Sequence, residues 1–210
     1  AASDVYKRQA LERDVARFLT QATFGSTPDT VADLLARIEA NDGDRIGAYS
    51  AWIDEQMALD YPSLSSFWEI FNKQYRDGTD LETAGIRLYG LTEGWFTGAV
   101  YAKAQLRERM AFALSQIFVV SIEDAFVRAT PQSPVSYYDM LKDNAFGSSK
   151  DLLRDVSLHP AMGAYLSHLR NQAELRNASG EIIASPDENY AREIMQLFSI
   201  GRCIYTQTAR

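Results

Sequence analysis

Apolar residues recur at helical spacing along nearly the whole chain, and convincing period-two alternation is absent. The first apolar stripe ends at Gly25, after which Thr27, Pro28 and Asp29 supply a hydroxyl cap, a first-turn proline and an early acid for the next helix. Further helices are predicted at Ala48–Leu59, Leu64–Tyr75, Ser136–Asn144, Ser149–Leu158 and Pro160–Arg170. The pattern therefore predicts an all-α fold, an irregular array of about nine or ten helices.

The strongest predicted helix is Gln105–Ser121. Its first turn carries Arg107, Glu108 and Arg109, whereas the stretch from 110 to 120 is apolar on almost every side. A helix that is apolar all round is usually buried. We therefore expect this helix to be the buried centre of the array.

Four glycines interrupt the apolar stretch from 83 to 101, namely Gly85, Gly90, Gly94 and Gly98. Each costs a soluble helix about 1 kcal/mol relative to alanine. Either the helices are broken here, or they pack backbone to backbone.

Two stretches lack helical periodicity, a proline-containing loop at 122–136 and a polar insertion at 171–185. The last helix follows them. Ser185 and Glu188 have the spacing of a capping box, with Pro186 at the first helical position.

Charge argues against several classes of partner. The formal net charge is −7, with 28 acidic and 21 basic residues scattered along the chain. Nucleic acids and anionic membranes are bound by clustered Lys and Arg, so neither is an expected partner. No apolar run approaches the roughly 20 residues of a transmembrane helix.

The single cysteine, Cys203, excludes an intrachain disulfide. With only two histidines beside it, a thiolate zinc site is excluded too, and no metal or cofactor is predicted.

Acid–base or metal chemistry would draw on Asp187, Glu188, Glu193, His159 and His168, because carboxylates and imidazoles serve both. Their spacing gives this interpretation little support. The two histidines are nine residues apart with a proline between them, and no HExxH or GxSxG motif is present. In the simpler interpretation, His159 is an exposed helix-junction residue and His168 is a structural hydrogen-bonding group.

A structural network is the alternative role for these polar residues. Arg109 and Gln116 share one face of the predicted central helix, and a buried guanidinium needs an anionic partner, which Asp187 or Glu193 could supply. Glu188 and Arg192, four residues apart, have the spacing of a surface ion pair. The complete candidate cluster comprises Asp187, Glu188, Asn189, Arg192, Glu193, Arg107, Arg109, Gln116, His159 and His168.

Several phrases of the chain are similar, in order, to a bacterial family known as domain of unknown function 1800. They are RFLTQATFGSTPD, WIDEQM, RERMAFALSQIFVVS, YYDMLKDNAFG, LLRDVSLHPAMGAYLSHL and PDENYAREIMQLFSIG, and they span about residues 11–201. The resemblance implies no known activity, substrate or cofactor. It does imply a longer protein, of which this is an N-terminal fragment, exported to the periplasm or cell surface, with other exported proteins as partners.

The two ends depart from the family pattern. Asp4–Gln9 is similar to a translated adapter used in sequencing libraries, so residues 1–9 are predicted to be an artefact of a metagenomic sequence. The stretch 202–210 is predicted to be a frameshifted tail, which would make its cysteine an artefact too. The helical domain is accordingly placed at 10–201.

Two functions remain open. The first is a non-catalytic scaffold or binding module, and the second is a hydrolase or metal-dependent enzyme whose site is completed by a missing C-terminal part. A pocket converging on Asp187, Asn189 and Glu193 would favour the enzyme. Solvated carboxylates, or carboxylates paired with Arg107 or Arg109, would favour the scaffold.

Overall fold

The computed structural model describes residues 2–78, 84–199 and 201. Within these ranges the chain forms eleven helices and one two-stranded sheet, which confirms the all-α prediction. The helices are α1 Ala2–Ala22, α2 Pro28–Ala40, α3 Arg45–Ala58, α4 Leu64–Gly78, α5 Ala84–Tyr101, α6 Gln105–Ile117, α7 Ala125–Ala129, α8 Gln132–Asp143, α9 Ser149–Leu158, α10 Pro160–Tyr165 and α11 Asn189–Gln196. Among the described helices, none combines the length and hydropathy that crossing a lipid bilayer requires.

Helices α1 to α3 pack around an apolar core whose pattern is plain in the sequence. Thr27 caps α2 as predicted, because its side chain accepts from the Thr30 amide while the Thr30 hydroxyl accepts from the Thr27 amide, with Pro28 in the first turn. The N-terminal apolar core consists of Val15, Leu19, Leu34, Ile38, Ala48 and Trp52. The stacked rings of Phe18 and Tyr49, with centroids 4.1 Å apart, pack against it.

Helix α5 is continuous, and its glycines allow α4 to approach closely. A Cβ on Gly90 would lie 2.7 Å from Phe71 Cδ1, and one on Gly94 would lie 2.8 Å from Leu64 Cδ1. Of the two alternatives, the close-packing one is therefore nearer to the structure, although side chains of α4, rather than its backbone, occupy the space. The cost of glycine in the helix is offset by this contact.

Helix α6 occupies the centre of the array, as expected, and packs against α1, α3, α5 and α8. Two parts of the prediction need correction. The helix ends at Ile117 and not at Ser121. The stretch 110–120 is not apolar and buried on every side, since Ile117 is 51% exposed and Val119, which lies beyond the helix end, is 44% exposed. Its buried positions include two charged residues of the first turn, Arg107 and Glu108.

A second apolar core lies among α8, α9 and α10 and includes Tyr137, Leu141, Val156 and Met162. The predicted loop at 122–136 is wrong in part, because it contains α7 and the start of α8. The Asp124 side chain caps α7 by accepting from two amides of its first turn. A helix this short shows no apolar period and depends on its contacts with α5 and α10.

The polar insertion contains a small antiparallel hairpin, which the sequence did not predict. Its strands are β1 Leu175–Arg176 and β2 Ile182–Ala184, and the turn between them includes Gly180 at φ +82. Both strands are too short for an alternating pattern to be visible.

The two ends of the chain were predicted to be artefacts. The described part of residues 1–9 belongs to the start of α1. The predicted tail at 202–210, with Cys203, lies outside the described residues.

Candidate functional site

The start of α11 differs from its prediction. Glu188 occupies the N-cap position with no side-chain capping bond, and the expected box with Ser185 does not form. Instead Asn171 binds the backbone of Asp187 at both ends, since its amide donates to the Asp187 carbonyl at 2.7 Å and its Oδ1 accepts from the Asp187 amide at 2.9 Å. The Asp187 carboxylate accepts from the Asn189 amide at 2.8 Å. With these contacts in place, the helix begins at Asn189 and not at Pro186.

The charged residues at the start of α11 and along it differ in exposure. Glu188 and Arg192 are both exposed and, in the part of the chain that is described, do not form the predicted ion pair. Glu193 is half-buried, and its carboxylate has no polar partner among the described residues. Tyr190 and Phe198 instead attach the helix to the second apolar core.

The predicted link between α6 and α11 is wrong. The Arg109 guanidinium lies over the rings of Phe24 and Phe112, at 5.4 and 5.6 Å from their centroids, and pairs with no described carboxylate. Aromatic faces attract a guanidinium without a counter-ion. Gln116 is exposed and donates to its neighbour Ser115 at 3.3 Å.

His159 joins α9 to α10 and caps the second of these helices. Its Nδ1 accepts from the Ala161 amide at 3.2 Å, so the ring proton lies on Nε2, which is 3.3 Å from the Ser136 hydroxyl oxygen. Burial lowers the pKa of His159 below its ordinary value. The neutral ring therefore donates to Ser136 and does not accept its proton.

A cavity of about 430 Å³ opens beside this pair and is also lined by Glu69 and Trp68. It brings a serine, an imidazole and a carboxylate to one surface. Only His159 among them belongs to the predicted cluster.

His168 is a structural hydrogen-bonding group, as its simpler interpretation predicted. Its Nε2 lies 3.0 Å from the Ser157 carbonyl, which can only accept, so this nitrogen carries the proton. The ring stacks on Tyr190 at 3.9 Å, and the Tyr190 hydroxyl in turn hydrogen-bonds the Ser157 hydroxyl. The imidazole thus fastens α11 to the end of α9.

The most buried ionic contact of the described structure joins Glu108 of α6 to Lys142 of α8. Their side chains are 4% and 2% exposed, and Lys142 Nζ donates to Glu108 Oε1 at 2.5 Å and to the Pro62 carbonyl at 2.7 Å. Taking two charges out of water is expensive, and good geometry with further hydrogen bonds is what compensates for it. Removing one partner would strand the other charge.

Arg107 is buried next to this pair and needs no carboxylate. Its guanidinium donates to the Lys142 carbonyl at 2.8 Å and to the Met57 carbonyl at 3.3 Å, and lies over the rings of Tyr61 and Phe146. Its Nε is buried without a partner in the described structure. Carbonyls and aromatic faces therefore stabilise the Arg107 guanidinium in place of a carboxylate.

Tyr61 closes the cluster. Its hydroxyl donates to Asp143 Oδ1 at 2.6 Å, and burial, followed by this hydrogen bond, raises the pKa of Tyr61 to about 12. We call Tyr61, Arg107, Glu108 and Lys142 the charged centre.

Lys142 was not among the predicted site residues, although the sequence carries a signal for it. Glu108 shares a helix face with the buried Ala104 and Ala111, and Lys142 lies beside the buried Leu141. A charged residue inside an apolar stripe on each of two helices, with opposite signs, indicates a buried pair.

Within the described ranges, no three His, Cys, Asp or Glu side chains are grouped so that they could hold a metal ion. The fold and its charged centre define a multi-helix all-α protein built around α6. The chain belongs to the DUF1800 family, described as proteins of unknown function, whose model matches residues 17–209. No curated protein and no solved structure matches it.

Proposed function

We propose that this helical chain is a non-catalytic scaffold or binding module of an exported bacterial protein. The charged centre carries the proposal. Within it, Lys142 and Glu108 neutralise one another at 2.5 Å in an interior that is almost closed to solvent, and the further bond of Lys142 goes to the Pro62 carbonyl. Charges used in this way hold α6, α8 and the α3–α4 connection in register.

The two histidines support the same conclusion. Each holds its ring proton on Nε2, and each makes its hydrogen bond to a group of the fold, His159 to the Ala161 amide and His168 to the Ser157 carbonyl. Both rings therefore serve as structural connections between helices.

The alternative is a hydrolase or metal-dependent enzyme whose site is completed by further sequence. One observation favours it, namely the cavity in which Ser136 and His159 meet. For His159 to take the Ser136 proton, its own proton would have to move to Nδ1, where it would face the Ala161 amide hydrogen. Catalysis would thus require the cap of α10 to open first.

Metal content and metal-dependent melting of the whole protein test the proposal. The decisive variant is Glu193→Gln, because this carboxylate is half-buried and has no polar partner in the described structure. Its matched control is Glu188→Gln on the same helix, which is exposed. The scaffold predicts no stoichiometric metal and a change in unfolding free energy within about 0.5 kcal/mol for both variants. Stoichiometric metal that Glu193→Gln loses and Glu188→Gln keeps would favour the enzyme.

Export to the periplasm or cell surface belongs to the proposal and is supported by the family resemblance. It predicts that the protein of an intact source cell fractionates with periplasmic or surface material. Recovery with the cytosolic fraction would contradict it.

A further inference from the structure

A second cavity, of about 510 Å³, lies between the α1–α2 turn, α3 and the α5–α6 junction. Its volume falls within the range of small-molecule sites, which are mostly apolar with a few placed polar groups. It is separate from the charged centre and from the cavity at His159.

The walls of this cavity run from a buried floor to an open mouth. Leu19, Thr23 and Trp52, which are 2%, 6% and 8% exposed, form the floor. Val100, at 64%, and the exposed Lys103 form the mouth. An apolar body that enters would contact the Trp52 ring and Leu19.

The walls are held in place by contacts outside the cavity. Trp52 packs edge-on against Phe18, and Phe24 packs edge-on against Trp95. The Gln105 amide donates to the Ala99 carbonyl in the last turn of α5 at 3.2 Å and to the Ala102 carbonyl just after that helix at 2.8 Å. The cavity is thus largely preformed.

Gln56 provides the polar feature of the floor. The residue is 9% exposed, and its Oε1 accepts from the Leu106 amide at 3.2 Å, which fixes the orientation of the side-chain amide. Gln56 lines the cavity, and its NH₂ group has no acceptor in the described structure. The Thr23 hydroxyl, by contrast, is satisfied by Leu19 and Gly25. An amide NH₂ that no protein group satisfies, on a side chain that is largely buried, is a ready donor to an entering oxygen.

Lys103 indicates which charge on the ligand oxygen the site favours. Lys103 lines the cavity, and its ammonium has no ion-pair partner among the described residues, although acidic side chains outnumber basic ones in the chain. A donor at the floor and an unpaired cation at the mouth both favour an anionic acceptor.

We propose that this cavity is a binding site for a small carboxylic acid with an apolar body. The carboxylate accepts from the Gln56 NH₂ and is attracted by Lys103, and the body packs against Trp52 and Leu19. The site goes beyond the proposed scaffold role, because a scaffold need not bind a small molecule.

The test is calorimetric titration of the full chain with three probes that share one apolar body, phenylacetate, 2-phenylethanol and 2-phenylethylamine, and with the corresponding octyl trio. We expect one carboxylate per chain to bind about tenfold more tightly than its alcohol, with the amine weaker still. The proposal would be overturned if neither set of probes gave a measurable heat of binding, or if the acid and the alcohol bound with equal affinity.

Gln56→Glu is the decisive variant. Its carboxylate still accepts from the Leu106 amide but presents a negative oxygen where the NH₂ was, so carboxylate affinity falls about tenfold. Gln172→Glu, a charge-matched change in the exposed insertion, leaves affinity unchanged. Lys103→Gln, at the surface, weakens binding about threefold and reduces its salt dependence. Unchanged affinity in both Gln56→Glu and Lys103→Gln would overturn the site. Because the scaffold role does not require this cavity to bind a small molecule, failure of this test leaves the scaffold proposal standing.

Discussion

The N-terminal apolar core and the charged centre hold neighbouring helices together in opposite ways. In the first, Leu34 and its neighbours gain stability from buried area, a contribution without direction. In the second, Glu108 and Lys142 gain it only in one geometry. An apolar core loses stability in proportion to the atoms removed, whereas a buried ion pair loses most when a single partner is removed.

This difference bears on how α8 finds its place. Apolar side chains allow two helices to pack in several registers at similar free energy, whereas a buried ammonium has to meet its carboxylate. We therefore expect the Glu108–Lys142 contact to fix α8 against α6. Asp139, one turn earlier on α8, adds a second fixed point by accepting from the Leu64 and Ser65 amides at the start of α4.

The largest effect is predicted for the charged centre. Lys142→Met leaves the Glu108 carboxylate buried without its partner and is expected to cost about 3–5 kcal/mol of unfolding free energy. Urea unfolding followed by circular dichroism measures it. Glu55→Gln breaks the exposed Arg37–Glu55 pair and is the control, with an expected loss below about 1 kcal/mol. Equal losses in the two variants would remove the distinction between the pairs.

A somewhat smaller loss is predicted for the apolar core. Leu34 is fully buried, and Leu34→Ala is expected to cost about 3 kcal/mol through lost burial and the cavity left behind. Leu34→Met, which conserves volume, should cost less than about 1.5 kcal/mol in the same assay. A loss from Leu34→Met as large as that from Leu34→Ala would mean that this core also depends on specific geometry.

The cap that α8 provides for α4 ranks third. Asp139→Ala removes the acceptor of two backbone amides and should cost about 1–2 kcal/mol. Asp151→Ala, at an exposed position of α9, is the comparison. If Asp139→Ala behaves like Asp151→Ala, the cap contributes nothing measurable.

The smallest effect is a pH dependence at His159. Because burial lowers its pKa, the unfolded chain binds a proton below the ordinary value of 6.5 that the folded chain does not yet bind. Stability contributed by neutral His159 is thus complete above that value and is lost as pH falls through the lowered pKa. His159→Gln should flatten this part of the profile of unfolding free energy against pH, while His168→Gln should retain it. A wild-type profile in His159→Gln would contradict the assignment.

The sequence predicted those parts of the fold in which one helix determines its own structure. Thr27 and Pro28 specify the start of α2, and the bounds of α9 were predicted as Ser149–Leu158 and found there. Predictions were wrong where a distant group decides the outcome. The Asn171 contacts with Asp187 displace the start of α11, and Lys142 is buried because Glu108 lies across from it.

The candidate site was harder to predict for the same reason. His159 could be identified as a junction residue from the proline after it, but its contact with Ser136 depends on how α8 meets α10. The Gln56 amide has no motif around it, and only the approach of α6 to α3 lets its Oε1 accept from the Leu106 amide, which orients the side chain.

The most direct test of the central claim is the coupling energy between Glu108 and Lys142. Unfolding free energies of Glu108→Gln, Lys142→Met and the double variant form the cycle. If the charged centre is a structural contact, the double variant costs about 2–3 kcal/mol less than the two single losses added together. A coupling energy below about 0.5 kcal/mol would contradict the account, since the two charges would then contribute independently of each other.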